Sequence, residues 1–297
     1  MSLSAADYLE WERARRRAAR LQPDLSRAVL LAFDLIKQNV DETDLHDIIE
    51  AHALDRLVAD VAVGGAFSVL VDRAFVAVSL RLRETVQKAF TAAVRDLPDA
   101  GRVNGVVGIA FDYLSPNVVQ AVRTLDTQVV QGLGDDVKEV VKAAIENGLL
   151  NGDAPATIAR ELRAVIGLSP TQMENVIKYE AKLEADATLS DATIARMVAT
   201  YTRRAIALNT ETITRTASLQ AMKLGQDLAW KEAADKGIVD MGQLNKTWKG
   251  VMDDRERDSH VIMEGETVPY DQPYSNGQMI PGEDEYNCRC ISLVRVG

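Results

Sequence analysis

The chain has 297 residues, of which 47% are hydrophobic, 26% charged and only 5% aromatic, and its formal net charge is −10. This length and balance suit a folded protein that buries a substantial core and divides into two domains. The sparse Gly and Pro exclude collagen-like and wholly disordered chains. The low aromatic content argues against a large β-sandwich, and the excess of acid disfavours tight non-specific binding to a bare phosphate backbone.

The longest apolar run covers about residues 61–71 and is ended by Asp72 and Arg73. It falls short of the roughly 20 residues a spanning helix needs, so no membrane association is expected. The first residues lack a positive segment followed by an apolar one, and no Sec-type export signal is expected. The cysteines are Cys288 and Cys290. Such a pair is no disulfide scaffold, which points to synthesis in a reducing cytoplasm.

In chain order, Trp11, Ala14, Ala18 and Leu21 form one apolar stripe at helical spacing, with Arg13, Arg15, Arg16, Arg17 and Arg20 on the other side. Pro23 is expected to end this helix. Residues 25–60 and 66–97 continue in helix formers, with Gly64-Gly65 as a break. Ser115-Pro116 is a helix start, and the helix it opens is expected to break around 132–134 and resume to Ile145. Asp153 caps a helix with Pro155 in its first turn, whose buried face is Ile158, Leu162, Val165 and Ile166 and whose left-handed stop is Gly167. Ser169-Pro170 starts the next, with Gln172 in capping-box position. The two make an αα corner, a common folding unit that reads as scaffold. Residues 191–235 read as one long helix or two, the polar stretch Asn209-Thr210-Glu211-Thr212 offering a kink or a new start.

Beyond Gly237 the composition changes. Thr247 to Met252 looks like a short strand, turn signals follow at Gly265, Pro269, Pro273, Asn276-Gly277 and Pro281-Gly282, and Cys290 to Val296 alternates like a terminal strand. The fold class expected is mainly α: a long helical N-terminal body over residues 1–200, followed by a small α+β C-terminal module over 201–297.

There is no Gly-rich phosphate loop, nucleophile elbow or His-Glu-x-x-His helix. His46 and His52 lie in a helical stretch and read as ordinary helix residues. Chemistry-bearing residues gather in the C-terminal module. Cys288 and Cys290, at i and i+2 on a strand, share one face. With His260 and one carboxylate, Asp254, they could complete a tetrahedral zinc site, although the one-residue spacing is shorter than the usual C-x₂₋₄-C pair. A small hydrophobic or hydrogen-bonded role is the competing reading, and apart from zinc no cofactor is expected. Asp253, Asp254, Glu264 and Glu266 beside His260 could hold Mg²⁺ in a metal-dependent hydrolase or toxin-like effector. The mixed-sign run over 253–258 reads better as a solvated face with local ion pairs, so no enzymatic activity is expected. The cluster Arg13 to Arg20 could touch DNA within a Debye length, as in a DNA-associated internal virion protein, while the plainer reading is a solvated helix face.

One larger pattern carries a resemblance. Ile213-Thr214-Arg215-Thr216, Trp248, Asp253-Asp254-Arg255-Glu256-Arg257-Asp258-Ser259-His260, Gly265, Pro281 and Asn287-Cys288-Arg289-Cys290 occur in an order that resembles the phage Mu protein F-like family, over about residues 205–296. One departure is Ala217, where the family usually has Glu after Arg-Thr. The resemblance implies a minor head, or head morphogenesis, protein of tailed bacteriophages and prophages. It implies a virion component made in the host bacterial cytoplasm and present in a few copies. Its expected partners are the portal protein and the major capsid protein, with DNA contact in packaging or delivery. It also implies that Asp254, His260, Cys288 and Cys290, which match family motif positions, form a structural knot tying the terminal strand to the Trp248 strand, with Trp248, Asp253, Arg255, Arg257 and Asn287 as further structural-motif residues.

Overall fold

The computed structural model describes residues 5–39, 65–95, 102–103, 106–107, 109–112, 114–151, 155–283, 285 and 287–297. The expected helices and caps at 40–64, Asp153, His46 and His52 lie outside the described residues. As expected, the chain is mainly helical, with a small three-stranded antiparallel sheet near its C-terminus. Two compact units are formed, one by Met1–Leu25, Leu80–Gln128 and Thr214–Gly297, the other by Ser26–Ser79 and Val129–Ile213.

Helix α1 (Ala5–Asn39) continues through Pro23, where the sequence predicts its end. An interior proline costs about 3 kcal/mol. Burial on both sides outweighs that cost: Trp11, Ala14 and Ala18 are buried before Pro23, and Leu25, Val29, Phe33 and Ile36 after it. Helix α2 (Ala66–Val94) buries Phe67, Val71, Phe75, Val78, Leu82, Val86 and Phe90, an unbroken stripe three or four residues apart. Strands β1 (Arg102–Val103) and β2 (Val106–Val107) form a short antiparallel ladder.

Helix α3 (Pro116–Asp126) starts at Ser115-Pro116 as predicted, although the Ser115 hydroxyl makes no capping bond. The break expected at 132–134 is instead a five-residue π-helical turn, Thr127–Gln131, from which α4 (Gly132–Asn151) continues past Ile145. Widening the winding adds a residue without opening the ladder to water, so the helix changes phase rather than stopping.

In the second unit, α5 (Pro155–Val165) and α6 (Pro170–Glu184) form the predicted corner. Gly167 sits at φ +106, a left-handed stop that a side chain rarely tolerates. The capping box is complete: the Gln172 amide N–H donates to Ser169 Oγ at 3.3 Å, and the Ser169 N–H donates to Gln172 Oε1 at 3.1 Å. Gln172 also donates to the Ala205 carbonyl at 3.1 Å, and Asn209 to the Gly167 carbonyl at 3.0 Å. Both partners lie on α7 (Asp191–Asp235), a single uninterrupted helix. Asn209 and Thr210 could have capped a new start, but their side chains are engaged elsewhere, Thr210 donating back to the Ile206 carbonyl at 3.0 Å.

The first unit ends in the sheet. A 3₁₀ turn at Met241–Gln243 leads into β3 (Leu244–Lys249), the one-turn helix α8 (Asp258–Val261), β4 (Thr267–Pro269) and β5 (Ile291–Val296). Strand order is β4-β3-β5, all antiparallel, with Trp248 opposite Ser292 and Lys246 opposite Val268. Two apolar clusters hold this unit. In one, Ile291 and Leu293 of β5 pack with Trp11, Ala14 and Ala18 of α1, Ala89 of α2, and Leu219 and Met222 of α7. In the other, Trp248 packs with Met263, Tyr274, Cys288 and Cys290. Among the described residues, no helix is long and apolar enough to cross a membrane.

Candidate functional site

Three short segments around β3 bring the sequence-predicted residues together. Trp248, on β3, is fully buried and meets Tyr274 edge-on at 5.1 Å and the His260 ring at 5.3 Å. His260 comes from α8 and is 1% exposed. Asn287-Cys288-Arg289-Cys290 runs into β5, which starts one residue later than the alternation suggests. Even so, both sulfurs turn to the same ring: Cys290 Sγ lies 3.4 Å and Cys288 Sγ 3.8 Å from His260 Nδ1. The three donor atoms lie within 4.8 Å of one another, and all three residues are buried.

The carboxylate beside them is Glu256, not Asp254. Glu256 Oε1 is 3.1 Å from Cys290 Sγ, whose thiol donates to it, and 3.5 Å from His260 Nδ1. Its second oxygen accepts the Val251 N–H at 2.9 Å, and the side chain is 4% exposed. Asp254 is exposed to solvent and stands outside this group. The other face of the imidazole is also held, His260 Nε2 lying 3.1 and 3.0 Å from the two oxygens of Glu285. Arg257 pairs with Glu285 at 2.7 Å. The sequence reading missed Glu256 and Glu285. Glu256 lies four residues before His260 but in the turn that precedes α8, so helical periodicity does not single it out. Glu285 comes from an irregular loop, for which no periodicity exists to read.

The remaining motif residues brace this centre. Asn287 has φ +61, and its side-chain oxygen accepts from Arg215 Nε at 3.2 Å and Nη2 at 2.7 Å, while its N–H donates to Thr216 Oγ1 at 2.9 Å. The Arg215-Thr216 pair of the motif thus holds the Asn287 turn. The Arg289 side chain points away from the sulfurs and forms a bidentate pair with Asp253, both contacts 2.6 Å. That guanidinium pulls the Asp253 carboxyl down to about 2. The Asp253 carboxylate also accepts the Arg255 N–H at 3.1 Å, closing the turn. Lys223, on α7, is buried and donates to the carbonyls of Pro281 at 2.7 Å and Cys288 at 3.3 Å. No feature of the sequence sets this lysine apart. Gly282 has φ +68, and a Cβ there would collide with the Cys288 side chain, so the loop passes the thiol only as glycine.

The two thiols titrate as a pair. The neighbouring Cys290 thiol and the Lys223 ammonium lower the pKa of Cys288 despite burial. Cys290 is pushed up by its neighbour Cys288, by burial and by Glu256. Two buried sulfurs held beside an imidazole nitrogen and a carboxylate oxygen offer the donor types of a metal ligand set.

The arginine cluster divides. Arg13, Arg17 and Arg20 line a cavity of about 640 Å³ together with Lys88 and Arg295. Arg15 instead lies over the Trp11 ring at 5.5 Å, and Arg16 pairs with Glu12 at 2.9 Å.

Comparison with curated proteins and with solved structures gives no match for the chain. The family described as Phage Mu protein F like protein does match, over residues 139–293. That range takes in just over half of the chain, including every residue of the Cys-His centre and its braces, and the protein belongs to this family of bacteriophage head-morphogenesis proteins.

Proposed function

We propose that the protein is a minor head component that acts at the portal vertex during head assembly in the host cytoplasm, present in a few copies and contacting the portal protein and the major capsid shell. Family membership carries this reading. The fold supports it, because long helices with exposed faces offer extended packing surfaces and the motif residues are spent on bracing one another rather than on opening a cleft. A hydrolase or toxin-like activity at the Cys-His centre draws no support from side chains this deeply covered, His260 being 1%, Cys288 4% and Cys290 0% exposed. Co-expression with the portal protein of the same phage is expected to give a complex that co-purifies. Absence of the protein from purified particles overturns the reading.

A contact with DNA during packaging or delivery is a second, compatible reading. Its support is the gathering of Arg13, Arg17 and Arg20 along one opening in a chain of net charge −10; Lys88 and Arg295 line the same opening but pair with Asp24 and with Asp7 and Glu10. Arg13→Gln with Arg20→Gln is expected to weaken duplex binding and to flatten its salt dependence by about 0.9 log unit for each phosphate no longer neutralised. Binding that does not vary with salt, or that the double variant leaves unchanged, removes it.

A further inference from the structure

We propose that Cys288, Cys290, His260 and Glu256 form a tetrahedral structural zinc site, in which Glu285 is the positioning carboxylate that holds the histidine ring.

Ligand spacing supports the set. Zinc binds S, N and O donors at about 2.0–2.3 Å, so neighbouring donors of a tetrahedron stand about 3.3–3.8 Å apart. The observed separations are 3.4 Å for Cys290–His260, 3.8 Å for Cys288–His260, 3.5 Å for Glu256–His260 and 3.1 Å for Glu256–Cys290. Three edges of one tetrahedron therefore stand at their working lengths before any ion is added, and the fourth, Glu256–Cys290, is shortened by the thiol–carboxylate hydrogen bond.

The far side of the histidine ring supports it independently. Ligating histidines almost always give their remote ring N–H to a carboxylate or carbonyl, which fixes the tautomer and aims the lone pair at the metal. His260 has this arrangement: Nε2 faces Glu285 at 3.0 Å and Nδ1 faces the sulfurs. Glu285 is in turn held by Arg257 at 2.7 Å.

Charge identifies the ion. Two thiolates and a carboxylate carry three negative charges into a site walled by Trp248, Met263 and Tyr274. A divalent cation offsets two of them, and the Lys223 ammonium, bonded to the Cys288 carbonyl, stands beside the remainder. Paired thiolates and imidazole favour zinc over the hard cations Mg²⁺ and Ca²⁺. Four protein donors leave no position open for water or substrate, which makes the site structural rather than catalytic.

The test uses the full-length protein without a histidine tag. Elemental analysis is expected to give about one equivalent of zinc per chain. The chelator-treated protein is expected to take up Co²⁺ with the intense visible bands of tetrahedral coordination and the near-ultraviolet charge-transfer bands of thiolate ligation. Cys290→Ser is expected to weaken the charge-transfer bands and Glu256→Gln to lower zinc affinity, while Asp254→Asn leaves both unchanged. Glu285→Gln keeps the stoichiometry but lowers affinity about 10–100-fold. Cobalt titration of the unmutated chain keeps the test decisive where a variant fails to fold. Protein that is metal-free as purified and takes up neither Zn²⁺ nor Co²⁺ overturns the proposal, leaving a purely hydrogen-bonded knot. Retention of full zinc affinity by Glu256→Gln overturns the ligand set.

Discussion

The indole N–H of Trp11 donates to the carbonyl of Arg289 at 2.9 Å, across 278 residues of chain. Arg289 lies between the two cysteines, so the first helix is pinned to the backbone of the Cys-x-Cys segment. The same helix reaches β5 through Arg295, whose guanidinium pairs with Asp7 at 3.0 Å and Glu10 at 2.8 Å. These contacts, with the apolar cluster of Trp11, Ala14 and Ala18 against Ile291 and Leu293, make α1 part of the wall behind the centre.

Trp11→Phe should therefore remove one hydrogen bond and leave the Arg289 carbonyl unpaired, costing about 1–3 kcal/mol. Trp11→Ala adds a cavity and should cost about 3–5 kcal/mol. Denaturant unfolding of both variants checks this, and a Trp11→Phe variant as stable as the unmutated protein would show that the indole N–H contributes nothing.

Asn287 combines a left-handed backbone with a side chain gripped by Arg215. Asn287→Gly keeps the backbone and loses the side-chain bonds, whereas Asn287→Val loses both. The glycine variant should be the milder, by about 1–2 kcal/mol. Reversal of that order in thermal unfolding would remove φ +61 as the reason for asparagine.

Gly282→Ala places a methyl group against Cys288 at a left-handed position. It should lower the thermal midpoint by several degrees, given about 1–2 kcal/mol for the backbone alone. Gly277→Ala, where φ is +85 but nothing stands within 4 Å, carries the backbone cost without the collision. A calorimetric comparison should rank Gly282→Ala as the more damaging.

Asp136, in the first turns of α4, has its carboxyl raised to about 6 by burial, with Glu139 and Asp135 adding repulsion. The folded state binds this proton more tightly than the unfolded chain, so stability is fully present below about pH 4 and falls as pH rises through 6. Asp136→Asn should raise the unfolding free energy at pH 8 by about 1 kcal/mol after allowing for solvent screening of a half-exposed group, and the gain should vanish near pH 4. A gain that is independent of pH would point to something other than this carboxyl.

The parts legible in the sequence are those where neighbouring residues decide the outcome. Ser169, Gln172 and Gly167 specify the corner within a short stretch of chain, and the structure contains the same capping box and the same left-handed stop. Pro23 and Asn209-Thr210 are local stop signals that distant partners override: buried apolar residues on both sides of Pro23, and the Gly167 carbonyl for Asn209. At the centre, Cys288, Cys290 and His260 converge as residue type and motif order suggest. The carboxylate beside them is Glu256 because the tight turn at residues 253–256 and its bond to the Val251 N–H, rather than proximity in a charged run, set which acid faces His260. Lys223 and Trp11 reach the Cys-x-Cys segment from elements 65 and 278 residues away, a relationship that no local pattern encodes.

The pairing of an early helix with the final strand also constrains synthesis. At a translation pace of about 5–20 residues per second, the 278-residue separation means that Trp11 is polymerised roughly 15–60 s before Arg289. Throughout that interval its apolar stripe has no partner strand, so a nascent chain stalled short of β5 should be a client for chaperones.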